Sequence, residues 1–452
     1  MHCSPRRLIV GCLFALLAVG PLAFTGVSTA SPAPLPQATT VPSQKAAYQG
    51  SLATGGWLGM KLAMMPDGRI KVTWKGPKTN KGIKKWEILT STTRKMNQHV
   101  KRYKLKPKAR KGYVQPADLI TPNSGGYTFV QIRHYWGKPD PHVGQGKTLW
   151  IKAPTPVPPA VSDTVTVGTF NVRAWNLDKP SSPHAWNKRS GRIYSTITGS
   201  GAGVVALQEA SGSINVGYGA ERQWIALVKE LNASEGGTRW ALSDDQPFET
   251  GNGVVQGKGR QGTRMIYDTT QFDLLAHGVG YTQGPSPSES CWFPWAHLKQ
   301  KSTGKQFVFV AAHLENGVDK ATGPYTLWKL RQRQAQAIIN KVASLSAAYP
   351  GEQVIVAGDM NSTIYSPPDN VVHRLFVKSG FFDAFASPEV TNGDYPTTND
   401  FDFPVNPSPH RRDYIFTRGG PVGSYWYHNL SYRTEADVAS DHFMQVASLP
   451  IG

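Results

Sequence analysis

The chain has 452 residues, 39% of them apolar, which is enough for two or three packed domains and too much for a disordered protein. Its net charge of +19 is unevenly spread: residues 43–155 hold 22 Lys and Arg against 4 Asp and Glu, a net of +18. One region therefore carries nearly all the attraction for polyanions, and the rest is close to neutral.

Residues 1–30 read as a secretory leader, with Arg6 and Arg7, the apolar run "LIVGCLFALLAVGPLAF", and the small-residue end "VSTASPA" with cleavage after Ala30. The expectation is a secreted protein, with residues 31–43 as a linker. Cys3 and Cys12 would leave with the leader, so Cys291 would remain alone and no internal disulfide could form despite export.

From 44 to 152, short runs such as "RIKVTWKGP", "KWEILTST", "GYTFVQIRHYW" and "KTLWIKAP" alternate in hydrophobicity between turn residues. They predict a small all-β sandwich with Trp74, Ile88 and Phe129 in its core. The pattern resembles a fibronectin type III module. Its densest charge is "KRYKLKPKARK", Lys101 to Lys111, with seven basic residues in eleven. Lys101 and Arg102 open that strip and are candidate contacts to a polyanion. The bland reading, a solvated edge that keeps the sandwich soluble, has equal weight.

The run "APTPVPPAVSD", 153–163, can be neither helix nor central strand and marks a domain boundary. From 164 to 452, strand-like runs alternate with helical ones. "PYTLWKLRQRQAQAIINKVASL" places Leu327, Leu330, Ile338, Val342 and Leu345 near one helix face, after a proline suited to a first turn. The second region is therefore α/β.

In this region five apolar runs end on a polar residue. "TVTVGTFN" stops at Asn171, "GVVALQE" at Glu209, "QFVFVAAH" at His313, and "VIVAGDMN" at Asp359 and Asn361; the final "SDH" offers Asp441 and His442. Any one of these is an ordinary turn or cap. Together they point to a ligand site at the shared carboxyl edge of an α/β sheet. Glu209 and Asp441 are hard oxygen donors suited to Mg²⁺. Asn171, Asn361 and His313 can donate to phosphate oxygens, and Asp359 can orient a water. Asp413, which opens "DYIF", can pair with His442 and fix its tautomer. Asp383 in "FFDAF" reads as a turn residue and His297 as a packed or surface histidine.

The ordered motifs "FNVR", "LQE", "AAHLEN", "GDMN", "DYIF" and "SDH" resemble the endonuclease/exonuclease/phosphatase superfamily, which includes pancreatic-type deoxyribonuclease, apurinic endonucleases, bacterial sphingomyelinases and inositol-polyphosphate phosphatases. The resemblance covers Thr164 to Ile451. It implies a four-layer α/β sandwich, two mixed sheets flanked by helices, and a Mg²⁺ site, with Mn²⁺ or Ca²⁺ as alternatives. It assigns metal binding chiefly to Glu209, with Asn171 and Asp441 alongside. Water orientation falls to Asp359, phosphate contact to Asn361 and His313, and the acid–histidine pair to Asp413 and His442. Arg264 in "TRMIYD" falls where the family carries a substrate-facing strand, and so becomes a phosphate contact. Arg173 stands where apurinic endonucleases carry an acid, which argues against a second metal.

The expected function is a secreted Mg²⁺-dependent nuclease, acting as a monomer on DNA or RNA, with the basic module holding nucleic acid. One alternative is a sphingomyelinase-like phospholipase C or a phosphomonoesterase at a membrane surface, with the module on anionic lipid or cell-wall polymer. Another is an inactive adhesion protein. No feature of the sequence identifies a protein partner.

Overall fold

Strand-forming runs of β-branched and aromatic residues, punctuated by Gly, Pro and Asn, build two sandwiches. The computed structural model describes residues 59–452 apart from 66–68, 76–81, 93–95, 97–98, 116–126, 136–143, 146–148, 153–162, 212–220, 250–260, 286–289, 318–326, 364–365, 367–369, 407, 409, 422 and 433. The expected leader, the first linker, most of the proline-rich connector and Pro324 lie outside the described residues.

In the first sandwich, β1 (Lys61–Met64), β2 (Ile70–Thr73) and β5 (Lys111–Val114) form one antiparallel sheet. The second sheet has β4 (Lys101–Leu105), β3 (Lys85–Ser91), β6 (Tyr127–Tyr135) and β7 (Gly144–Gln145) in that order, with β8 (Leu149–Lys152) also pairing to β6. Ile70, Val72, Trp74, Trp86, Ile88, Val130 and Ile132 fill the space between the sheets, and the rings of Trp74 and Trp86 lie 5.5 Å apart. Trp86 donates its indole N–H to the carbonyl of Pro107 at 2.8 Å, which meets the polar need of a buried tryptophan. Phe129, expected in this core, points to the other face because Val130 and Ile132 take the inner positions of β6. It joins Leu89 and Met96 in the apolar cluster of the second sandwich.

The second sandwich has two mixed sheets. Its seven-stranded sheet runs β11 (Trp240–Leu242), β12 (Arg264–Asp268), β10 (Val204–Gln208), β9 (Thr164–Asn171), β21 (Gln445–Pro450), β20 (Trp426–Asn429) and β18 (Glu389–Thr391). The six-stranded sheet runs β13 (Phe272–Gln283), β14 (Ser290–Gln300), β15 (Gln306–His313), β16 (Gln353–Asp359), β19 (Asp413–Arg418) and β17 (Phe382–Asp383). In the first sheet, β9 and β10 run parallel; in the second, β15 and β16 do.

Strand periodicity distributes the side chains. Val165, Val167, Val204, Ala206, Phe309, Ala311, Ile355 and Ala357 face the gap between the sheets. Val205 and Leu207 face the opposite way, onto α1 (Trp186–Gly199) and α2 (Gln223–Glu235). Val308, Val310, Val354 and Val356 likewise pack on α3 (Leu327–Ala348) and α4 (Val371–Lys378). The result is the expected four layers of helices, sheet, sheet and helices. Each of these buried valines contributes about 1.5–3 kcal/mol of transfer free energy. On α3, Leu330, Ile338, Val342 and Leu345 are buried as the spacing predicts, while Leu327 at the first turn is half-buried.

Candidate active site

The inward rows of the two sheets end in polar or ionisable side chains. On β9 the row Val165, Val167, Thr169 finishes at Asn171; on β15 the row Phe307, Phe309, Ala311 finishes at His313. On β16, Ile355 and Ala357 lead to Asp359, and Asp413 precedes Ile415 on the same side of β19. Register places His313 beside Asp359 and Asp359 beside Asp413 across three neighbouring strands. Gly358 makes this packing possible, since a Cβ there would lie 2.0 Å from the carbonyl oxygen of Ala312.

Glu209 follows Gln208 and would face the helices if the strand ran on. Its φ of 59° places it in the left-handed region and breaks the alternation. Gly262 allows the turn, because a Cβ there would stand 3.0 Å from the Ala210 nitrogen and the Glu209 carbonyl carbon. Asn361, with φ 45°, makes a similar turn after β16.

The Asn171 amide donates to Glu209 Oε1 at 3.0 Å and to Asp359 Oδ2 at 3.3 Å, linking the sheets through two carboxylates. Asp359 Oδ1 accepts from the Asn361 backbone N–H at 2.8 Å, and the Asn361 side-chain nitrogen lies 3.3 Å from His313 Nε2. His442 Nδ1 pairs with Asp413 at 3.0 Å, and its Nε2 lies 3.7 Å from Asp359 Oδ2. His313 Nε2 is also 3.7 Å from that oxygen. Both imidazoles stand beyond direct hydrogen-bond reach of Asp359, at a spacing that a bridging oxygen can close.

Burial opposes charge on His442, yet Asp413 and Asp359 outweigh it and the imidazole's pKa is raised. Burial also raises Asp413, with His442 opposing and Asp359 adding to the rise. A simple ion pair would lower the acid, so the two directions conflict on that view. They agree once Asp359 is counted as a second carboxylate: the cluster holds a proton tightly, and His442, facing both acids, is its best seat.

Several residues that position this group are not visible as motifs. The Thr397 hydroxyl accepts from the N–H groups of Arg412 and Asp413 at 2.9 and 3.2 Å, and its carbonyl takes the Phe443 N–H at 2.9 Å. Thr398 bridges His442, and the Asn399 side chain donates to the Ser440 carbonyl at 2.9 Å. The segment Thr397–Asn399 thus clips the Asp413 strand to the Ser440–His442 turn. Buried Arg189 holds the carbonyls of Val172 and Arg173 at 2.5 and 2.7 Å, fixing the chain just after Asn171. The available signals were weak: "TTN" and an arginine in the first turn of a helix are common in loops and on solvated faces.

The structure brings together Asn171, Glu209, His313, Asp359, Asn361, Asp413 and His442. Asp441 is nearby, but its Oδ2 is bonded to Arg173 at 2.7 Å and its Oδ1 receives the Ser440 hydroxyl at 3.2 Å. Arg264 is not at the site's surface. It is 1% exposed, lies 3.6 and 3.7 Å from the ring centres of Trp224 and Phe248, and donates to the carbonyls of Gln261 and Gln246. Burial lowers its pKa to about 9, and the two rings and the carbonyls enclose the guanidinium, so it serves packing here and is not presented to substrate. Lys101 and Arg102 are on β4 in the first sandwich, both exposed. His297 is buried against Glu352 at 2.8 Å, and Asp383 holds both a turn, through the Phe385 N–H, and a buried pair with Arg411 at 2.6 Å.

A cleft of about 320 Å³ opens beside Glu209 and His313, lined further by Leu177, Thr263, Trp292 and Glu315. No described lining residue is Lys or Arg. Among the described residues, Asp359, Asp413 and His442 bring ligand atoms within 4.8 Å of one another and could take a divalent ion. That group is buried and hydrogen-bonded to itself, whereas Glu209 is turned into the open cleft. Its carboxylate suits a hard cation that keeps its waters.

Residues 168–442 match the model of a family described as the Endonuclease/Exonuclease/phosphatase family. Among solved structures, a protein of that description from Bacteroides vulgatus is 20% identical, with 64% of this chain and 100% of that one covered and a TM-score of 0.49. A mannosyl-6-phosphatase from Bacteroides thetaiotaomicron is 20% identical over 63% of this chain and 98% of its own, with a TM-score of 0.47. The catalytic domain of human Nocturnin is 17% identical over 65% and 99%, with a TM-score of 0.44. No curated protein matches the chain.

Proposed function

The chain belongs to the endonuclease/exonuclease/phosphatase family of hydrolases, and from that premise we propose that it is a Mg²⁺-dependent phosphodiesterase cleaving nucleic acid. The observation that carries hydrolysis is the cluster His442, Asp413 and Asp359, a buried imidazole set between two carboxylates. Glu209, with Asn171 beside it, is the residue set that would hold the ion, which supplies neutralisation of phosphate charge when bound. Asp359 orients a water and accepts its proton, while the Asn171 amide keeps that carboxylate in line with Glu209. His442 as imidazolium donates to a phosphate oxygen, and His313 and Asn361 donate from the other side. Attachment of the water oxygen breaks the phosphorus–oxygen ester bond, the leaving oxygen takes up a proton from solvent, and no covalent bond to the protein forms.

Nucleic acid is chosen as substrate on charge: residues 43–155 carry a net of +18. The division at 153–163, export through residues 1–30 and a fibronectin type III-like character for the first sandwich belong to the same proposal. The last is supported by a three-stranded sheet, β1–β2–β5, beside a sheet led by β4–β3–β6.

A second reading has one observation in its favour. A cleft without a described Lys or Arg suits a small or uncharged leaving group, as in a phosphomonoester or lipid phosphodiester. Nicking of supercoiled plasmid, with Mg²⁺ or EDTA and beside His442→Ala, tests the choice. Metal-dependent nicking that collapses in the variant supports the nuclease. A folded protein that leaves plasmid intact but hydrolyses p-nitrophenyl phosphate or sphingomyelin would replace it.

A further inference from the structure

Strand register divides the side chains of the β4–β3–β6 sheet between two faces. Trp86 pairs with Leu105 and His134, and Ile88 with Tyr103 and Ile132; these point into the sandwich. Glu87 pairs with Lys104 and Arg133, Lys85 with Tyr135, and Leu89 with Arg102, so all of these share the outer face.

That outer face has two halves. At one end Leu89 and Phe129 are 0% and 2% exposed and lie in the apolar cluster of the second sandwich. Toward the other end, around Glu87, Lys104 is exposed and Lys85 and Arg133 are half-exposed, while Arg102 is exposed on the edge strand directly opposite Leu89. Among the described residues, the carboxylate that faces these four cations is Glu87, paired with Lys85 at 2.9 Å and Arg102 at 3.6 Å and accepting from the Tyr135 hydroxyl at 2.6 Å.

We propose that this cationic half-face, Lys85, Arg102, Lys104 and Arg133 around Tyr135, is where the first sandwich binds the phosphate backbone of a nucleic acid. The choice of partner rests on the nuclease reading; the face itself does not. Lysines on an edge strand commonly serve to block aggregation, which accounts for Lys101 on β4. That explanation fails for Lys85 and Arg133, because β3 and β6 are interior strands of their sheet. Side chains on one face recur about every 6.8 Å along a strand and about 4.8 Å between strands, so four cations form a compact plane rather than a scattered fringe. Tyr135 adds a ring on which a base can stack, with Lys85 Nζ 4.2 Å above it. An anionic membrane fits less well, since Leu89 and Phe129, the apolar side chains described on this face, are buried and not free to enter a bilayer.

The face also corrects the sequence-based choice of Lys101, which has the inward parity of Ile88; of the two expected contacts, Arg102 alone is on the cationic side.

The test is binding of a labelled DNA 20-mer in EDTA, where nothing is cleaved, between 50 and 200 mM NaCl. The combined variant Arg102→Gln, Lys104→Gln, Arg133→Gln is compared with Lys101→Gln, Lys106→Gln, Lys108→Gln, which removes the same charge from the edge. The face variant is expected to bind at least tenfold more weakly at low salt and to lower the slope of log K against log salt by about two to three. The edge variant should change the slope by less than one. Equal effects from the two variants, an unchanged face variant, or native protein that binds phosphatidylserine vesicles but not DNA would overturn the proposal. The single Lys104→Gln variant, exposed on β4, gives the same comparison if the triple fails to fold. DNA bound through this face by a protein that nicks no plasmid would keep the surface and remove the nuclease.

Discussion

Replacing Asp413 with Asn keeps the shape of the side chain and removes its charge, and so isolates the electrostatic core of the site. His442 is 5% exposed and Asp413 0%, with Nδ1 and the carboxylate 3.0 Å apart. At that burial the scale for exposed ion pairs, about 0–1 kcal/mol, does not apply; breaking a buried pair by removing one partner costs about 3–5 kcal/mol. Catalysis should suffer separately, because the imidazole loses both its fixed tautomer and the leading group that favours its charge. A fall in kcat of about 10²–10⁴-fold with KM little changed is the expected size of such an acid–base contribution. The pH dependence has a definite sign. Both His442 and Asp413 have raised pKa values in the fold, so their contribution is complete at low pH and lost as pH rises through the folded values. The stability gap between native protein and Asp413→Asn should therefore be widest near pH 6 and shrink toward pH 10. Turnover of bis-p-nitrophenyl phosphate with Mg²⁺ gives kcat and KM, and urea midpoints across that range give the gap. A variant within threefold of native kcat, or a gap that widens with pH, would refute the account of the pair.

Glu209→Gln should weaken Mn²⁺ affinity, read by calorimetry, by about 10–100-fold, with the fold intact because Glu209 is at the cleft mouth. Arg264→Met should lower the urea midpoint while leaving KM unchanged, since Arg264 contacts two rings and backbone carbonyls; a raised KM with normal stability would restore it as a substrate contact. Burial raises Asp383, but Arg411 and His373 outweigh it and bring its pKa to about 2. Its contribution is therefore present above the ordinary carboxylate pKa and lost as pH falls toward 2, and Asp383→Asn should flatten that acid loss in a pH series of melting temperatures. Gly358→Ala should prevent folding at 37 °C, as seen by circular dichroism, because the new methyl meets the Ala312 carbonyl with no flexible neighbour to yield.

The chemistry was legible where a polar residue ended an apolar run, because alternation tells which face a residue takes and the last inward rung shares that face. Asn171, His313, Asp359 and Asp413 are of this kind. Glu209 was legible as a residue, but its direction depends on a left-handed backbone and on Gly262, more than fifty positions away. Arg264 was misplaced for a related reason: its strand position is readable, while Trp224 and Phe248, which enclose it, come from distant segments. Phe129 failed likewise, since alternation assigns it a face but cannot say what covers that face. The clip of Thr397 and Asn399 was invisible because its value lies in backbone partners that no side-chain pattern reports.

The inward rows have a consequence for how such a protein can change. Because Asp359 reaches the site by parity, inserting one residue between Gln353 and Gly358 would turn it toward the helices, while inserting two would return it to the gap one rung farther on. Strand length in this fold is thus counted in pairs: the sandwich can lengthen or shorten by even steps and keep its chemistry, while odd steps discard it. The same arithmetic makes the loops beyond the last rung the natural place for variation, since residues added there disturb no count.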